Sequence, residues 1–268
     1  MKSLAGDKIA LVSSSANMSE SNAKPFLCAE WRHLVMLNYA VPREVLRPFV
    51  PAGTALDTYQ GKAYASVVGF LFLKTRVLGM SIPFHQEFEE LNLRFYVRRF
   101  SGQESRRGVV FIKEIVPKAA VAAVARICYH ENYVSLPMRH HLELGPDHAP
   151  AGAEYAWKFD RRWHHLKAKT FGEPRMPVPG SLEEFITEHY WGYAAQKEGG
   201  CVEYRVEHPR WPVRRVTEAE FDCDAAALYG PEFAACLSQP PNSAFWADGS
   251  AVRVSQGERI ASAKTARP

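Results

Sequence analysis

The chain has 268 residues and a formal net charge of only +4 at pH 7, which gives no reason to expect a nucleic-acid or lipid surface. Hydrophobic residues make up 47% and charged residues 23%, which is ordinary for a soluble globular protein. The longest apolar run, at 67–73, is far shorter than the ~20 residues of a membrane-spanning helix. We therefore expect neither a nucleic-acid partner nor contact with a membrane.

The cysteines argue against a disulfide framework and against a zinc site. They are odd in number, far apart in the chain and form no Cys-x-x-Cys pair. The only apolar residues near the N-terminus, at 9–12, are too few for the core of a secretory signal. This pattern favours a reducing cytoplasm. The cysteines are Cys28, Cys128, Cys201, Cys223 and Cys236.

The stretch at 13–20 is polar and without periodicity, and residues 1–24 are predicted to form a disordered leader. Residues 259–268 are expected to form a flexible tail. No internal repeat or long linker interrupts the chain between them, so residues 25–258 are expected to form a single domain.

Hydrophobic periodicity predicts many strands and few helices along this domain. An alanine-rich run predicts the clearest helix, because alanine has the most favourable helix propensity. Ser181 and Glu184 form a capping box that opens another helix. In chain order the predicted elements are a strand at 30–39, a short helix at 42–49, a hairpin at 56–73 turning at 59–62, strands at 90–100 and 108–116 joined by a loop at 101–107, the alanine-rich helix at 117–129, a hairpin at 155–170, a helix from 181 to about 190, and strands at 202–207, 213–220 and 251–254. The fold class that follows is α+β with a largely antiparallel sheet, compatible with closure into a barrel.

The strand predicted at 90–100 has an unusual polar face. Leu91, Leu93, Phe95 and Val97 alternate with a carboxylate, an amide, a guanidinium and a phenol, contributed by Glu90, Asn92, Arg94 and Tyr96. Such a row either faces water or lines a ligand cavity. Two features favour a cavity: the neighbouring segment 63–73 is apolar on both faces, and an amide and a phenol are unusual on a simple charged exterior.

In a cavity these four side chains would have distinct roles. Residues two apart on a strand are ~7 Å apart along its axis, so Glu90 and Arg94 are too distant for a direct ion pair. Arg94 is suited to hold a carboxylate with its two-pronged guanidinium. Glu90 would act as an acid or base, and Asn92 and Tyr96 would orient the ligand.

Two lysines are candidates for an amine nucleophile. Lys113 lies in an apolar strand, where it is expected on the face of Phe111 and Ile115, and Lys118 follows Pro117 at the junction with a helix. A lysine that apolar neighbours remove from water loses part of its preference for the charged form. The alternatives are that Lys113 pairs with a carboxylate or faces solvent, and that Lys118 is an exposed first-turn residue.

Other motifs fail on inspection. His130 and Glu131 begin like a zinc-protease helix, but Val134 stands where the second histidine is required. Adjacent histidines occur at 140–141 and 164–165, and neighbours on a strand rarely share a metal. The strand at 107–113 has Val109 where an RNA-recognition strand needs an aromatic. We expect no metal and no cofactor.

Several segments resemble the YqjF-like family of uncharacterised proteins, domain of unknown function 2071. They run from about residue 27 to 256 and include Trp31, Asn38 and Tyr39, then Leu46, Arg47 and Pro48, then FEELNLRFYV at 88–97, and then Asn242, Ser243, Ala244 and Phe245. The resemblance implies a fold like that of acetoacetate decarboxylase: a closed, mostly antiparallel β-barrel or cone with flanking helices and a central cavity.

The resemblance leaves the chemistry open. Acetoacetate decarboxylases use an imine-forming lysine whose pKa is lowered by an adjacent lysine, and this chain has no Lys-Lys pair. Three hypotheses follow: a barrel that binds a small carboxylate- or carbonyl-bearing metabolite without catalysis, a lyase or decarboxylase-like enzyme that uses Lys113 or Lys118, and a scaffold whose polar row is solvated. Neither the ligand nor the oligomeric state follows from the sequence.

Overall fold

The computed structural model describes residues 25–145, 149–196 and 199–260. The predicted leader at 1–24 and residues 261–268 of the predicted tail lie outside the described residues. In chain order the elements are β1 (Leu27–Val41), α1 (Arg43–Leu46) with a 3-10 turn (Arg47–Phe49), β2 (Ala55–Leu56), β3 (Ala63–Val77), β4 (Met80–Ser81), β5 (Phe88–Ser101), β6 (Glu104–Val116), α2 (Ala119–Cys128), β7 (Tyr133–Ser135), β8 (Met138–Leu144), β9 (Pro150–Phe159), β10 (Arg162–Arg175), α3 (Leu182–Thr187), β11 (Trp191–Ala195), β12 (Cys201–Glu207), β13 (Val213–Asp222), α4 (Ala225–Tyr229), α5 (Pro231–Leu237), β14 (Ser243–Val254) and β15 (Glu258–Ile260).

One sheet contains all these strands, in the order β15-β12-β11-β6-β5-β3-β1-β14-β13-β10-β9-β8 with β2, β4 and β7 attached at its sides. Every pairing is antiparallel except β6 with β11 and β6 with β7. Strand β12 also pairs with β14, through Val206 with Val254 and Glu207 with Arg253. The strands β12, β11, β6, β5, β3, β1 and β14 are therefore hydrogen-bonded in a ring, from which β13, β10, β9 and β8 extend.

The prediction of a largely antiparallel sheet with a few helices is confirmed. Ser181 caps α3, accepting a hydrogen bond from the Glu184 backbone N–H at 3.2 Å, although the helix ends at Thr187. The predicted turn at 59–62 is present, closed by a bridge between Tyr59 and Lys62. The predicted hairpin at 56–73 is otherwise wrong in its pairing, because Leu56 of β2 pairs with Val97 of β5. None of the helices in the described part of the chain is long and apolar enough to cross a membrane.

Short or polar elements escaped the sequence analysis. Strand β8 has the sequence MRHHLEL with most side chains exposed, so it has no apolar face to produce a period-two pattern. Helices α4 and α5 have only five and seven residues, too short for a helical period to emerge. Strand β15 (Glu258–Ile260) contains the first two residues of the segment predicted as a tail, and it pairs with β12.

The strands β3 and β5 are covered on both faces. On one face Leu91, Leu93 and Phe95 pack in a core with Trp246 and with Phe233 of α5. On the other face Phe70 and Phe72 of β3 and Tyr96 of β5 pack in a second core with Phe185 of α3 and Trp211. The alternation read in β5 therefore separates two buried environments, rather than a buried face from a solvated one.

A β-bulge interrupts the pairing of β5 with β6. Leu93 pairs with Lys113, but Arg94 pairs with Phe111, so Ile112 is the extra residue. An extra residue reverses the facing of everything beyond it. Glu114 therefore faces the same side as Phe111. The prediction that Lys113 shares a face with Phe111 and Ile115 is wrong for Phe111, but it is right for Ile115.

We predict that Gly249→Ala destabilises the fold more than Gly79→Ala. Both glycines have φ near +80° (+81° and +82°), but a Cβ at Gly249 would collide with the Trp31 carbonyl oxygen, whereas a Cβ at Gly79 meets nothing within 4 Å. The left-handed conformation should cost each variant roughly 1–2 kcal/mol, and the collision should add about 1–3 kcal/mol at Gly249. Urea denaturation measures both free energies of unfolding. Equal losses would contradict the proposed close approach of β1 and β14.

Candidate ligand-binding site

A cavity of about 190 Å³ lies among the strands of the ring. Each strand of that ring contributes at least one side chain to its wall, and α2 and α3 contribute others. Apolar and aromatic side chains predominate in the wall, as in most small-molecule sites. The aromatic members are Phe26, Trp31, Phe70, Phe72, Phe88, Phe111, Tyr129, Tyr133, Trp191, Tyr204 and Trp211.

Three members of the predicted polar row line this cavity: Glu90, Asn92 and Arg94. All are buried, with 2%, 1% and 9% of their surface exposed, so the row is not solvated. Tyr96 is buried beside them but is not part of the wall. Its hydroxyl is 2.5 Å from the Ser66 hydroxyl, and its ring packs 4.6 Å from that of His189, measured between ring centroids.

Arg94 holds the least compensated charge in the cavity. Its Nη2 lies 3.9 Å from the Met36 sulfur, and its Nε has no hydrogen-bond partner among the described residues. No carboxylate in the described ranges lies within 4.0 Å of its guanidinium. A buried charge without a partner is costly, so this side chain is poised to accept an anion.

Three glutamates face the same cavity: Glu90, Glu114 and Glu131. Glu90 accepts hydrogen bonds from Asn92 Nδ2 and from the Tyr133 hydroxyl, both at 3.0 Å. Glu131 accepts one from the Tyr204 hydroxyl at 2.8 Å. Oε2 of Glu114 and Oδ1 of Asn92 have no partner in the part of the chain that the structure describes.

Burial raises the pKa of each of these carboxyl groups, because it penalises the charged form. The pKa of Glu90 rises to about 7, although the bonds from Asn92 and Tyr133 and the charge of Arg94 oppose the rise. That of Glu131 rises to about 8. The pKa of Glu114 lies well above its ordinary value through burial and through repulsion from Glu131 and Glu90. Near neutral pH this part of the cavity therefore binds protons.

The sequence analysis missed Glu114 and Glu131. Glu114 faces the cavity only because of the bulge at Ile112, which strand alternation cannot reveal. Glu131 was considered only as part of a failed zinc motif. It follows α2 on a loop tied to the bulge, where Asn132 Nδ2 donates to the Ile112 carbonyl at 2.7 Å.

A buried ionic cluster supports another part of the wall. The Asp57 carboxylate is hydrogen-bonded by Arg98 and by Arg107, the latter at 2.9 Å, and lies 3.6 Å from Nε2 of His189. Burial would raise the pKa of Asp57, but contacts with His189, Arg107 and Arg98 hold it well below its ordinary value. Burial lowers the pKa of His189 to about 4. His189 therefore presents a neutral imidazole to the cavity.

The candidate lysines lie outside the cavity wall. The Lys113 ammonium donates a hydrogen bond to the Leu228 carbonyl of α4, on the opposite side of the sheet. Lys118 stands at the N-cap of α2, where it is half-buried. No lysine of the described residues lines the cavity. The described residues also include no group of three or more histidine, cysteine, aspartate or glutamate side chains placed to hold a metal ion.

Residues 28–251 match the model of the DUF2071 family, described as uncharacterized conserved proteins. The chain belongs to this family. It is 31% identical to the uncharacterized protein YqjF of Bacillus subtilis over 211 residues, which are 75% of this chain and 82% of that protein. The predicted family is thus confirmed.

Solved structures with similar folds include acetoacetate decarboxylases and a biosynthetic enzyme. The enduracididine biosynthesis enzyme MppR complexed with pyruvate has a TM-score of 0.63 at 13% identity, covering 96% of this chain and 99% of that one. An acetoacetate decarboxylase-like enzyme from Sphingomonas wittichii scores 0.61 at 13%, covering 90% and 95%. Acetoacetate decarboxylase from Legionella pneumophila scores 0.61 at 10%, covering 97% and 99%. At these identities the likeness establishes the fold alone.

We predict that the free energy of unfolding rises as the pH falls from 8 to 6.5. The folded protein holds protons on Glu90 and Glu131, with pKa values of about 7 and 8, which an unfolded chain releases above about pH 4.3. Folding therefore takes up protons in this window, and stability falls as the pH rises. Below about pH 6.5 the buried, neutral His189 opposes the trend.

Thermal unfolding at the two pH values measures this effect, since about 1 kcal/mol shifts the Tm of a domain this large by roughly 2–4 °C. Glu131→Gln should raise the Tm at pH 8 and reduce the difference between the two values. The exposed Glu218, paired with Lys169, offers a control, and Glu218→Gln should retain the difference. A wild-type Tm that is the same at both pH values would contradict the proposed proton uptake.

Proposed function

We propose that this protein binds a small carboxylate-bearing metabolite in the cavity, with Arg94 holding the carboxylate. The observation that carries the proposal is the buried guanidinium of Arg94, which has no carboxylate partner in the described chain. A ligand carboxylate would supply the missing counter-charge and could accept two parallel hydrogen bonds from the guanidinium.

The cavity limits the size and polarity of the ligand. Its volume of about 190 Å³ is close to that of an engineered cavity of about 150 Å³ that binds benzene. Trp31, Phe88 and Phe111 are among the aromatic side chains of the wall. A compact metabolite with an apolar or carbonyl-bearing body fits this description. We further propose that the ring of strands acts as the wall of a closed barrel or cone.

The other members of the polar row would orient the ligand. The Nδ2 group of Asn92 is occupied by Glu90, so its free Oδ1 would accept a hydrogen bond from the ligand. Glu90 would contact the bound molecule directly. Tyr96 would act indirectly, because its ring packs on His189 in the wall.

The structural relatives support this ligand class. One of them is an enzyme whose structure was determined with pyruvate, a small keto acid. The alternative in which Lys113 or Lys118 forms an imine receives no support from the geometry, since Lys113 bonds to a carbonyl on the far side of the sheet and Lys118 is not part of the wall.

A second candidate function is acid–base catalysis on a bound carbonyl compound. The observation that favours it is Glu90, whose pKa of about 7 is close to the working pH that suits a general acid or base. Its hydrogen bond from Tyr133 at 3.0 Å would fix its orientation. The reaction would then be a proton transfer next to a carbonyl group, without a covalent intermediate on the protein.

We predict that Arg94→Met weakens the binding of small carboxylates at least tenfold. A hydrogen bond between charged partners contributes roughly 1.5–3 kcal/mol, and methionine retains much of the apolar volume. Isothermal titration with pyruvate, phenylpyruvate and pentanoate measures the affinities. Arg162, exposed and paired with Asp222, offers the control, and Arg162→Met should bind like the wild type. Equal affinities in Arg94→Met, or no saturable binding of any acid by the wild type, would refute the proposal.

We also predict that cyanoborohydride trapping with pyruvate yields no stoichiometric adduct at Lys113 or Lys118, because neither amine reaches the cavity. Peptide mass spectrometry of the treated protein identifies any modified lysine and the fraction of the protein that carries it. An adduct confined to either lysine would restore the imine mechanism and make a lyase the better description.

A further inference from the structure

A second polar region of the cavity lies next to Arg94. We call it the acidic end and define it by Glu114, Glu131, Tyr133 and Tyr204, all of which line the wall. Three separate parts of the chain form it. Glu114 comes from β6, Glu131 and Tyr133 come from the loop after α2 and from β7, and Tyr204 comes from β12. Glu114 and Tyr133 are register partners in the parallel pairing of β6 with β7.

This region has two buried oxygen atoms without a hydrogen-bond partner among the described residues. Oε2 of Glu114 and Oδ1 of Asn92 both lack partners, and the two residues stand directly opposite each other in the β5–β6 register. Buried polar atoms almost always have a hydrogen-bond partner. The amide oxygen of Asn92 can only accept. When Glu114 is ionised, these two oxygens are adjacent acceptors, and a ligand group with more than one N–H or O–H donor would satisfy both.

The charges in the wall point to the same kind of group. Among the described residues, the three glutamates Glu90, Glu114 and Glu131 share the wall with a single arginine. The histidines of the wall are His85, His189 and His208, and burial lowers the pKa of His189 and of His208 to about 4, so these two imidazoles add no charge. Tyrosine rings stand beside these carboxyl groups, with Tyr129 and Tyr204 4.8 Å apart between centroids. Carboxylates combined with aromatic faces are the surroundings that an ammonium group prefers.

We infer that the acidic end binds an ammonium group, so that the ligand is a small amino acid whose carboxylate is held by Arg94. This inference rests on the proposed function for its carboxylate half. The spacing adds a further restriction: Asn92 and Arg94 are ~7 Å apart along the strand. The amino group and the carboxylate are therefore separated by a short carbon spacer, as in 5-aminopentanoate, instead of sharing one carbon.

The test compares 5-aminopentanoate with pentanoate, which lacks only the amine, and with glycine, which lacks the spacer. Isothermal titration of the full chain at pH 7.5, in two buffers of different ionisation enthalpy, gives both affinity and proton exchange. The expected result is at least tenfold tighter binding of 5-aminopentanoate than of either other compound. Protons should be released on binding, because the ammonium favours the ionised form of the carboxyl groups.

The variant Glu114→Gln should reduce the affinity ratio of 5-aminopentanoate to pentanoate at least tenfold, whereas the surface variant Glu218→Gln should retain it. Glu131→Gln provides a second test of the same end if Glu114→Gln does not fold. Equal affinities for the two pentanoate compounds, or proton uptake with both, would overturn the ammonium site. In that case, binding of pentanoate that Arg94→Met weakens would still support the proposed function. If the wild type binds none of these compounds, both the ammonium site and the proposed function are refuted.

Discussion

Removal of charged groups from water is the constraint on which this cavity depends. The ring of strands buries one guanidinium and three carboxyl groups that in water would all be ionised. Arg94 has no carboxylate partner among the described residues, whereas burial raises the pKa of Glu90 to about 7 and that of Glu131 to about 8. The charges in the cavity wall are thus not balanced among the described residues, and a ligand of suitable charge would restore the balance.

A single extra residue in β6 decides which charges enter the cavity. With Ile112 inserted, Glu114 faces inward and Lys113 faces α4 on the other side of the sheet. The loop after α2 is tied to the same point, since Asn132 bonds to the Ile112 carbonyl, and this loop carries Glu131. The bulge therefore links the two carboxyl groups of the acidic end and places the candidate amine of Lys113 outside the site.

The fold of this chain and the side chains in its cavity support separate conclusions, one about architecture and one about chemistry. The likeness to acetoacetate decarboxylase-like structures, with TM-scores of 0.61 to 0.63, covers nearly the whole chain and establishes the architecture. The chemistry depends on the side chains in the cavity. Here the wall of described residues contains an arginine and three glutamates but no lysine, which favours recognition of a charged metabolite through ionic contacts.

The sequence by itself determined the family, the mostly antiparallel sheet and the polar row of β5, because period-two alternation and the FEELNLRFYV segment are local properties. It also identified Arg94, Asn92 and Glu90 as candidate ligand-binding residues. Only the tertiary structure decided that this row is buried and that Tyr96 lies behind the wall. The positions of Glu114, Glu131 and His189 likewise depend on a bulge, on loops and on strand pairings between distant segments, which a local pattern cannot encode.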